Sequence, residues 1–526
     1  MVEQVNNNTT SQNSQEKDPL LASEITGSIP TVEARYNTAQ HEHTNVKADK
    51  SRRRKPVNRN VVLATLVSGA FVVILNQTLM NTALPALMED FGITANSAQW
   101  VTTMFMLVNG IMIPVTAFLI QKFTTRSLFF AAMGLFTLGT LLAMLSPTYP
   151  VLLAGRFIQA AGGGIIMPLM QTILFAIFPM DKRGQAMGTF GLVISFAPAI
   201  GPTMSGWIVE HFPWQTLFAI MLPIAIIDMI IAYFILDNVT ESTNPRLDVL
   251  SIVLSTFAFG GMLLGFGNAG NTGWDSVEVL APLIIGFVSL GLFIWRQLVL
   301  PEPMLELRIL KNPMFTLNTL LGMAVFIAMI GGMIILPLYM QNMAGFTATE
   351  SGLMLLPGAV IMGLMSPLTG RVFDRFGAKW LAVVGFGLLA SSTLMFTALT
   401  PETSFAYLAI FNAVRMFGTA MVIMPVTTAA LNQLPQRMIP HGTALNNTMR
   451  QVAASVGTAV LVTVMTGTAL DPVVHGNEGL VHGVNIAFIV AGVVAAIGFI
   501  GAFFIRGSRP VAPQTPEDAT STGESK

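Results

Sequence analysis

From residue 60 to residue 505 the chain is a succession of apolar stretches, most of them about twenty residues long, parted by short polar breaks. This pattern leaves few architectures. A helix needs about 20 apolar residues to cross the hydrocarbon of a bilayer, and in lipid every backbone N–H and C=O must find its partner inside the protein. The stretches fall at 60–80, 98–120, 127–145, 149–175, 185–209, 215–236, 248–267, 278–298, 315–340, 350–370, 378–398, 404–434, 443–467 and 484–505. They predict an all-α membrane protein of about 14 transmembrane helices. Charged residues make up only 10% of the chain and hydrophobic residues 53%, against about 25% charged in a soluble domain. Such a chain cannot cover a water-exposed surface.

The breaks set the orientation, because Lys and Arg stay on the cytosolic side. The breaks after spans 2, 4, 6, 8, 10 and 12 carry Lys122, Arg126, Lys182, Arg183, Arg246, Arg308, Lys311, Arg371, Arg375, Lys379 and Arg437. The alternate breaks carry no Lys or Arg, and their charges are acidic, among them Glu89, Asp90, Glu210, Asp275, Glu350, Glu402 and Asp471. A wrong span count would scramble this alternation. Both tails are therefore expected in the cytosol. Residues 1–59 are polar, have no apolar leader core and end in Arg52-Arg53-Arg54-Lys55, which reads as a disordered cytosolic tail; residues 506–526 are a second tail. The basic run is a topology signal or a contact for anionic lipid heads. Basic inner loops without a signal peptide suit a bacterial plasma membrane.

Several classes fall away. There is no cysteine, so thiol nucleophiles, disulfides and Cys-based metal sites are excluded. A net charge of zero argues against nucleic acid. Gly162-Gly163-Gly164 lies within a span and lacks the Lys-Ser/Thr of a phosphate loop, so ATP is not a direct driver. No His/Glu spacing suits a metal and no nucleophile–base pair suits an enzyme. The partners expected are small-molecule substrates, protons and lipid, with no cofactor and a monomeric chain.

Part of the second half echoes the first. Ala117–Arg126 reads AFLIQKFTTR and Gly370–Lys379 reads GRVFDRFGAK; Ile166-Met167-Pro168 recurs as Ile423-Met424-Pro425, and the Gly184 segment recurs at Gly442. The offsets of 253, 257 and 258 are nearly constant. Two similar bundles suggest alternating access about a central site. The expected organisation is an N-terminal six-helix bundle at 60–236, two extra helices with linkers at 237–311, and a C-terminal six-helix bundle at 312–505.

Four ionisable residues lie well inside spans: Arg156, Asp228, Arg415 and Arg450. A charge at that depth costs several kcal/mol and marks function by default. Asp228 is the only carboxylate among them. An acid removed from water takes up a proton more readily, which suits proton coupling; the alternatives are an acid facing the inner vestibule or one paired with an Arg. Asn76, Gln77, Asn81, Asn109, Gln159, Gln171, Asn318, Gln341 and Arg415 are candidates to line the substrate cavity.

With these motifs the sequence resembles the major facilitator superfamily, in particular its fourteen-span drug:proton antiporter branch, the EmrB/QacA-like multidrug efflux transporters. GRVFDRFGAK matches that family's loop motif, Gly-x-x-x-Asp-Arg-x-Gly-x-Lys/Arg, at every key position. Gly155-Arg156 through Gln159 with Gly162-Gly163-Gly164 is similar to the span-4 motif, and Pro198, Gly201 and Pro202 with Gly206-Trp207 to the span-5 motif of exporters. Leu336-Pro337 through Gln341, with Gly345-Phe346 and Leu356-Pro357, is similar to the span 9–10 signature. The resemblance implies a major facilitator fold and export of drug-like molecules by proton antiport. It implies a gate formed by Gly370, Asp374, Arg375, Gly377 and Lys379, a proton-relay or gate-holding role for Arg156 beside Asp228, and a leak-limiting role for Pro198, Gly201, Pro202 and Gly206. Two positions depart from the family pattern. The first loop copy has Ala117, Gln121 and Thr124 in place of Gly, Asp and Gly, and span 1 carries Asn76 where the family usually has Asp. Export of a specific metabolite, peptide or signalling molecule is the second reading within the fold. A channel or receptor is the reading from another class, against which the repeat and the gate motif argue.

Overall fold

The computed structural model describes residues 59–239, 245 and 247–506. The two tails, the basic run at 52–55 and Arg246 lie outside the described residues, as do the side chains of Asn81 and Pro202. Among the described residues fourteen helices are long and apolar enough to cross a membrane.

They run α1 Arg59–Phe91, α2 Ala95–Lys122, α3 Thr125–Met144, α4 Tyr149–Ile177, α5 Arg183–His211, α6 Thr216–Ile235, α7 Val249–Thr272, α8 Val277–Val299, α9 Pro313–Asn342, α10 Ala348–Phe376, α11 Ala378–Met395, α12 Phe405–Leu431, α13 Ile439–Gly467 and α14 Pro472–Ala502. Each predicted stretch has its helix, and the differences are at the ends. α1 continues from 80 to Phe91 through Pro85. α14 begins at Pro472 rather than 484, breaking at Gly476, where φ is 55°. In both cases the extra turns are polar or proline-bearing, so apolar content alone underestimates the helix. Sequence-local caps fix other starts: the Thr94 and Thr124 side chains accept N–H bonds at the heads of α2 and α3, and Thr347 with Glu350 forms a capping box on α10.

Lipid offers no hydrophobic drive between helices, so close approach of small residues does that work. Gly139 and Gly155 face one another's helix between α3 and α4, and a Cβ on Gly162 would overlap the Ala132 carbonyl oxygen. The second half repeats the device between α11 and α12, where Gly385 and Gly418 abut. The Gly162–Gly164 triplet is a packing hub: its glycines face α3, α1 and α2 in turn.

The extra pair is a tight hairpin. Gly261 of α7 abuts the Pro282 carbonyl and Gly286 of α8. At its Lys/Arg-bearing end Arg296 grips Asp248 through two bonds of 2.7 Å, and those bonds hold the Asp248 carboxyl below the usual carboxylate range. α7 packs against both α2 and α13, Leu263 filling the space beside Gly110, and Trp274 Nε1 donates to Thr463 Oγ1 (2.7 Å). The pair thus covers the α2/α13 seam between the halves.

Gly162→Ala should cost about 1–3 kcal/mol by overpacking and lower the melting temperature of the purified protein followed by intrinsic fluorescence. Gly206→Ala, where an added Cβ meets nothing within 4 Å, should leave it unchanged.

Candidate functional site

The two halves meet most closely along α5 and α10. At the Lys/Arg-bearing end, Asp374 near the end of α10 accepts the backbone N–H groups of Gly184 (2.7 Å) and Gln185 (2.8 Å). These are first-turn donors of α5, left without partners in their own helix and at the positive end of its dipole. The carboxylate reaches them because both helices are glycine there: a Cβ on Gly184 or on Gly370 would overlap the opposite backbone. Gly377 ends α10 with φ 80° and lets α11 start at the next residue. Arg375 is exposed, and its guanidinium lies over the Phe376 ring (5.3 Å). The acid of the motif is therefore held by a helix terminus and not by a cation.

The α2/α13 seam has different chemistry. Gln121, at Asp374's position in the repeat, lies 2.8 Å from His441 Nε2, and His441 Nδ1 accepts the Glu306 backbone N–H (3.2 Å) from the linker after α8. Arg183, one residue before Gly184, bonds the Phe175 and Phe178 carbonyls and reaches Asn432 in the other half (2.9 Å). Deeper in, Thr172 of α4 meets Thr443 of α13 (3.1 Å), and Asn447 Nδ2 donates to Gln171 Oε1 (2.9 Å). The α5/α10 contact continues to Phe196 beside Gly363. Farther out, Gly206 and Trp207 are exposed. The Lys/Arg-bearing end is closed.

Besides Arg183 at the closed end, three guanidiniums are buried among the described residues. Arg156, 0% exposed, donates to Asn76 Oδ1 (2.6 Å), Gln159 Oε1 (2.7 Å) and the Val101 carbonyl (3.1 Å), with its cation 4.3 Å from the Phe105 ring centre. Arg415, also 0% exposed, donates to the Ala328 carbonyl (3.1 Å) and Asn412 Oδ1 (3.2 Å) and lies flat against Gly332 of α9. Arg450 donates to Thr427 Oγ1 (3.2 Å) and lies 4.4 Å from the Phe326 ring centre. No carboxylate pairs with any of them: the ion pairs among the described residues are Asp248–Arg296 and Glu306–Arg308.

Asp228 is 2% exposed and turned into its own bundle, where its carboxylate packs against Gly69 of α1 close to Met133 and Phe129 of α3. Ser68 is within side-chain hydrogen-bonding reach, and Oδ2 has no partner. The structure does not bring Asp228 and Arg156 together. Their contacts on α1, Gly69 and Asn76, are seven residues apart, about 10 Å of helical rise. The alternative in which Asp228 pairs with an Arg is not what the structure shows.

The cavity candidates need correction. Asn76, Gln159 and Arg415 are buried scaffold, because a guanidinium in an apolar interior recruits whichever amides lie within reach; Gln159 also donates to Thr140 (2.7 Å). Gln341 is exposed at the last turn of α9. Gln77 and Asn109 are half-buried. In the span-5 motif, Gly201 lies against Thr78 of α1, and Ser205 donates to the Leu79 carbonyl (2.6 Å), so the motif binds α5 to α1. The sequence reading missed Arg183 and His441. Both lie beside the repeated glycines Gly184 and Gly442, so the repeat held the signal. Among the described residues no three His, Asp or Glu side chains converge on a metal site.

Residues 66–458 match the Major Facilitator Superfamily. YcnB of Bacillus subtilis (strain 168), named as an MFS-type transporter, is 54% identical over 463 residues, which are 88% of this chain and 98% of YcnB. The lincomycin resistance protein LmrB of the same organism is 42% identical over 457 residues, 85% of this chain and 95% of LmrB. The crystal structure of the human organic anion transporter MFSD10 (TETRAN) has a TM-score of 0.63 at 13% identity, covering 85% of this chain and 99% of that one, a likeness of fold alone.

Asp374→Ala removes both bonds to α5 and should weaken the closed seam by about 1–2 kcal/mol, roughly tenfold in population. The chain lacks cysteine, so a single Thr172→Cys reporter measures this directly, as faster alkylation by a water-soluble maleimide. Gly332→Ala should displace the Arg415 guanidinium and lower the melting temperature more than Gly345→Ala, which is strained at φ 73° but meets no neighbour.

Proposed function

The chain belongs to the major facilitator superfamily, and on that premise we propose that it exports lipophilic, drug-like small molecules across a bacterial plasma membrane in exchange for protons. The observation that carries this reading is its 42% identity, over 85% of its length, to a protein named for lincomycin resistance. The Lys/Arg-bearing end is the cytosolic end in this reading, and both tails lie there. A monomer suffices, since the Asp374 clamp and the polar interior lie within one chain.

The geometry supports the following cycle. The Asp374 clamp on α5 closes the cytosolic side, and the bundles part on the other side to release substrate. Asp228 is the proton site: it is buried, unpaired and on the cytosolic half of α6. Its charged form is costly in that setting and its neutral form is not, so proton uptake and release change what the α1/α6 contact can bury. Arg156 and Asn76 hold the middle of α1 in register. The proton gradient is the energy source. A dedicated exporter of one metabolite, peptide or signalling molecule is the second reading, favoured by Asn76, whose amide stands where the family carries an acid.

The test is reconstitution in liposomes with an internal pH dye and an imposed proton gradient. Ethidium, tetraphenylphosphonium and a neutral lincosamide are added in turn. Proton movement evoked by a compound and abolished in Asp228→Asn is the expected result. Compound-evoked proton movement that persists in the mutant removes Asp228 from the mechanism, and silence toward every compound favours the dedicated exporter.

A further inference from the structure

The polar groups around Arg450 have no acid to serve them. None of α2, α4, α9, α12 or α13 contains an aspartate or glutamate. Arg450 is 4% exposed, wedged between α9, α12 and α13, and a guanidinium keeps its charge at any working pH. Its Nε–H has no acceptor. One turn away Gln171 of α4 accepts from Asn447 across the boundary between the halves, yet its own amide Nε2 donates to nothing; Thr448 Oγ1 is likewise unpartnered. Arg415 reaches the same helix, at Ala328 and Gly332, within two turns of Phe326. A fixed cation, Arg450, and an amide donor, Gln171, thus lie on the two sides of one carboxylate-free region where the bundles meet, while Arg415 lies on another face of α9. Asp228, the one carboxylate well inside a span among the described residues, lies in the N-terminal half and faces α1 and α3.

Buried donors in native proteins have partners, and a buried unpaired cation is expensive. We propose that this region is a substrate-binding site for amphiphilic organic anions, with a carboxylate or similar acceptor group bound by Arg450 and Gln171. The inference rests on the exporter reading and names its substrate class. Arg450 offers a charge-assisted bond through Nε, Gln171 offers a second donor from the opposite half, and the Phe326 ring and neighbouring methionines such as Met329 take the apolar body. Binding bridges the halves, because its two donors come from different bundles. Lipophilic cations are repelled by the Arg450 guanidinium.

The test uses 1-pyrenebutyrate and its trimethylammonium counterpart, which share an apolar body and differ in charge. Binding is measured on the full chain in lipid nanodiscs by fluorescence, with empty nanodiscs subtracted. The anion should bind about tenfold or more tighter than the cation, the scale of one charge-assisted contact. Arg450→Gln should abolish that preference, Arg450→Lys should keep most of it, and Gln171→Leu, which buries no new charge, should weaken the anion alone by several-fold. Equal binding of both probes, no binding of the anion, or anion binding unchanged in both Arg450→Gln and Gln171→Leu would each overturn the proposal. Binding is read without any proton gradient. Anion binding without proton-linked flux would therefore sink the antiport reading and leave the site standing, and proton-linked flux of cations alone would do the reverse.

Discussion

An arginine in a hydrocarbon slab cannot give up its proton, and the interior of this transporter is arranged around three of them. Each is met by amide oxygens, backbone carbonyls or the face of a phenylalanine, and none by an acid. The Arg156–Asn76 bond of 2.6 Å is the clearest case. An amide oxygen takes the hydrogen bond that a carboxylate would take, and it leaves the charge in place. A carboxylate at that position would give a neutral pair. Asparagine keeps the interior positive, with the Phe105 ring supplying the remaining stabilisation. The electrostatics of the helical interior are therefore set by which acids are missing as much as by which bases are present.

The two seams between the halves answer the same need in unequal ways. At α5/α10 a carboxylate binds a helix N-terminus across two facing glycines. This contact is strong when made and is lost entirely when the helices part by an ångström or two, which suits a gate with two discrete states. At α2/α13 the corresponding position is Gln121, and the contact is amide to imidazole, with the linker after α8 bonded to the imidazole's other nitrogen. That seam is also covered by α7. The degenerate loop copy is explained by its surroundings: a seam held by an extra helix and a docked linker does not depend on the carboxylate clamp that the uncovered seam requires.

The span count, the alternation of basic and acidic breaks and the repeat were legible in the sequence because the bilayer imposes length, polarity and charge on each segment locally. The contact made by Asp374 was legible too, since the places of Gly370, Asp374 and Gly377 are set by backbone geometry. The polar interior was not. Asn76, Gln159 and Arg415 read as cavity residues because a polar residue in a span is costly unless used, but the use turned out to be mutual. Which polar residues satisfy one another depends on helix rotation and depth, and a span with apolar residues all round carries no strong signal of either. Arg183 and His441 were hidden by the opposite effect, since in a basic loop they resemble topology signals.

On the antiport reading proposed above, rotation also decides how Asp228 and the Asp374 contact communicate. Asp228 faces away from the other half, so it does not act on substrate directly. Coupling needs an element with two arrangements that both sites bias, and α1 is the helix that touches both parts. It carries Gly69 against Asp228, Asn76 under Arg156, and Thr78 and Leu79 against Gly201 and Ser205 of α5. α5 in turn presents its first turn to Asp374. The acid is thus linked to the opposite bundle through two packed helices joined by close glycine contacts and backbone acceptors. Such contacts transmit a shift because they have no flexible side chain to absorb it. The span-5 motif lies where that transmission is stiffest, on the face of α5 that grips α1, and its exposed Gly206 lies on the part of the helix beyond the closed seam.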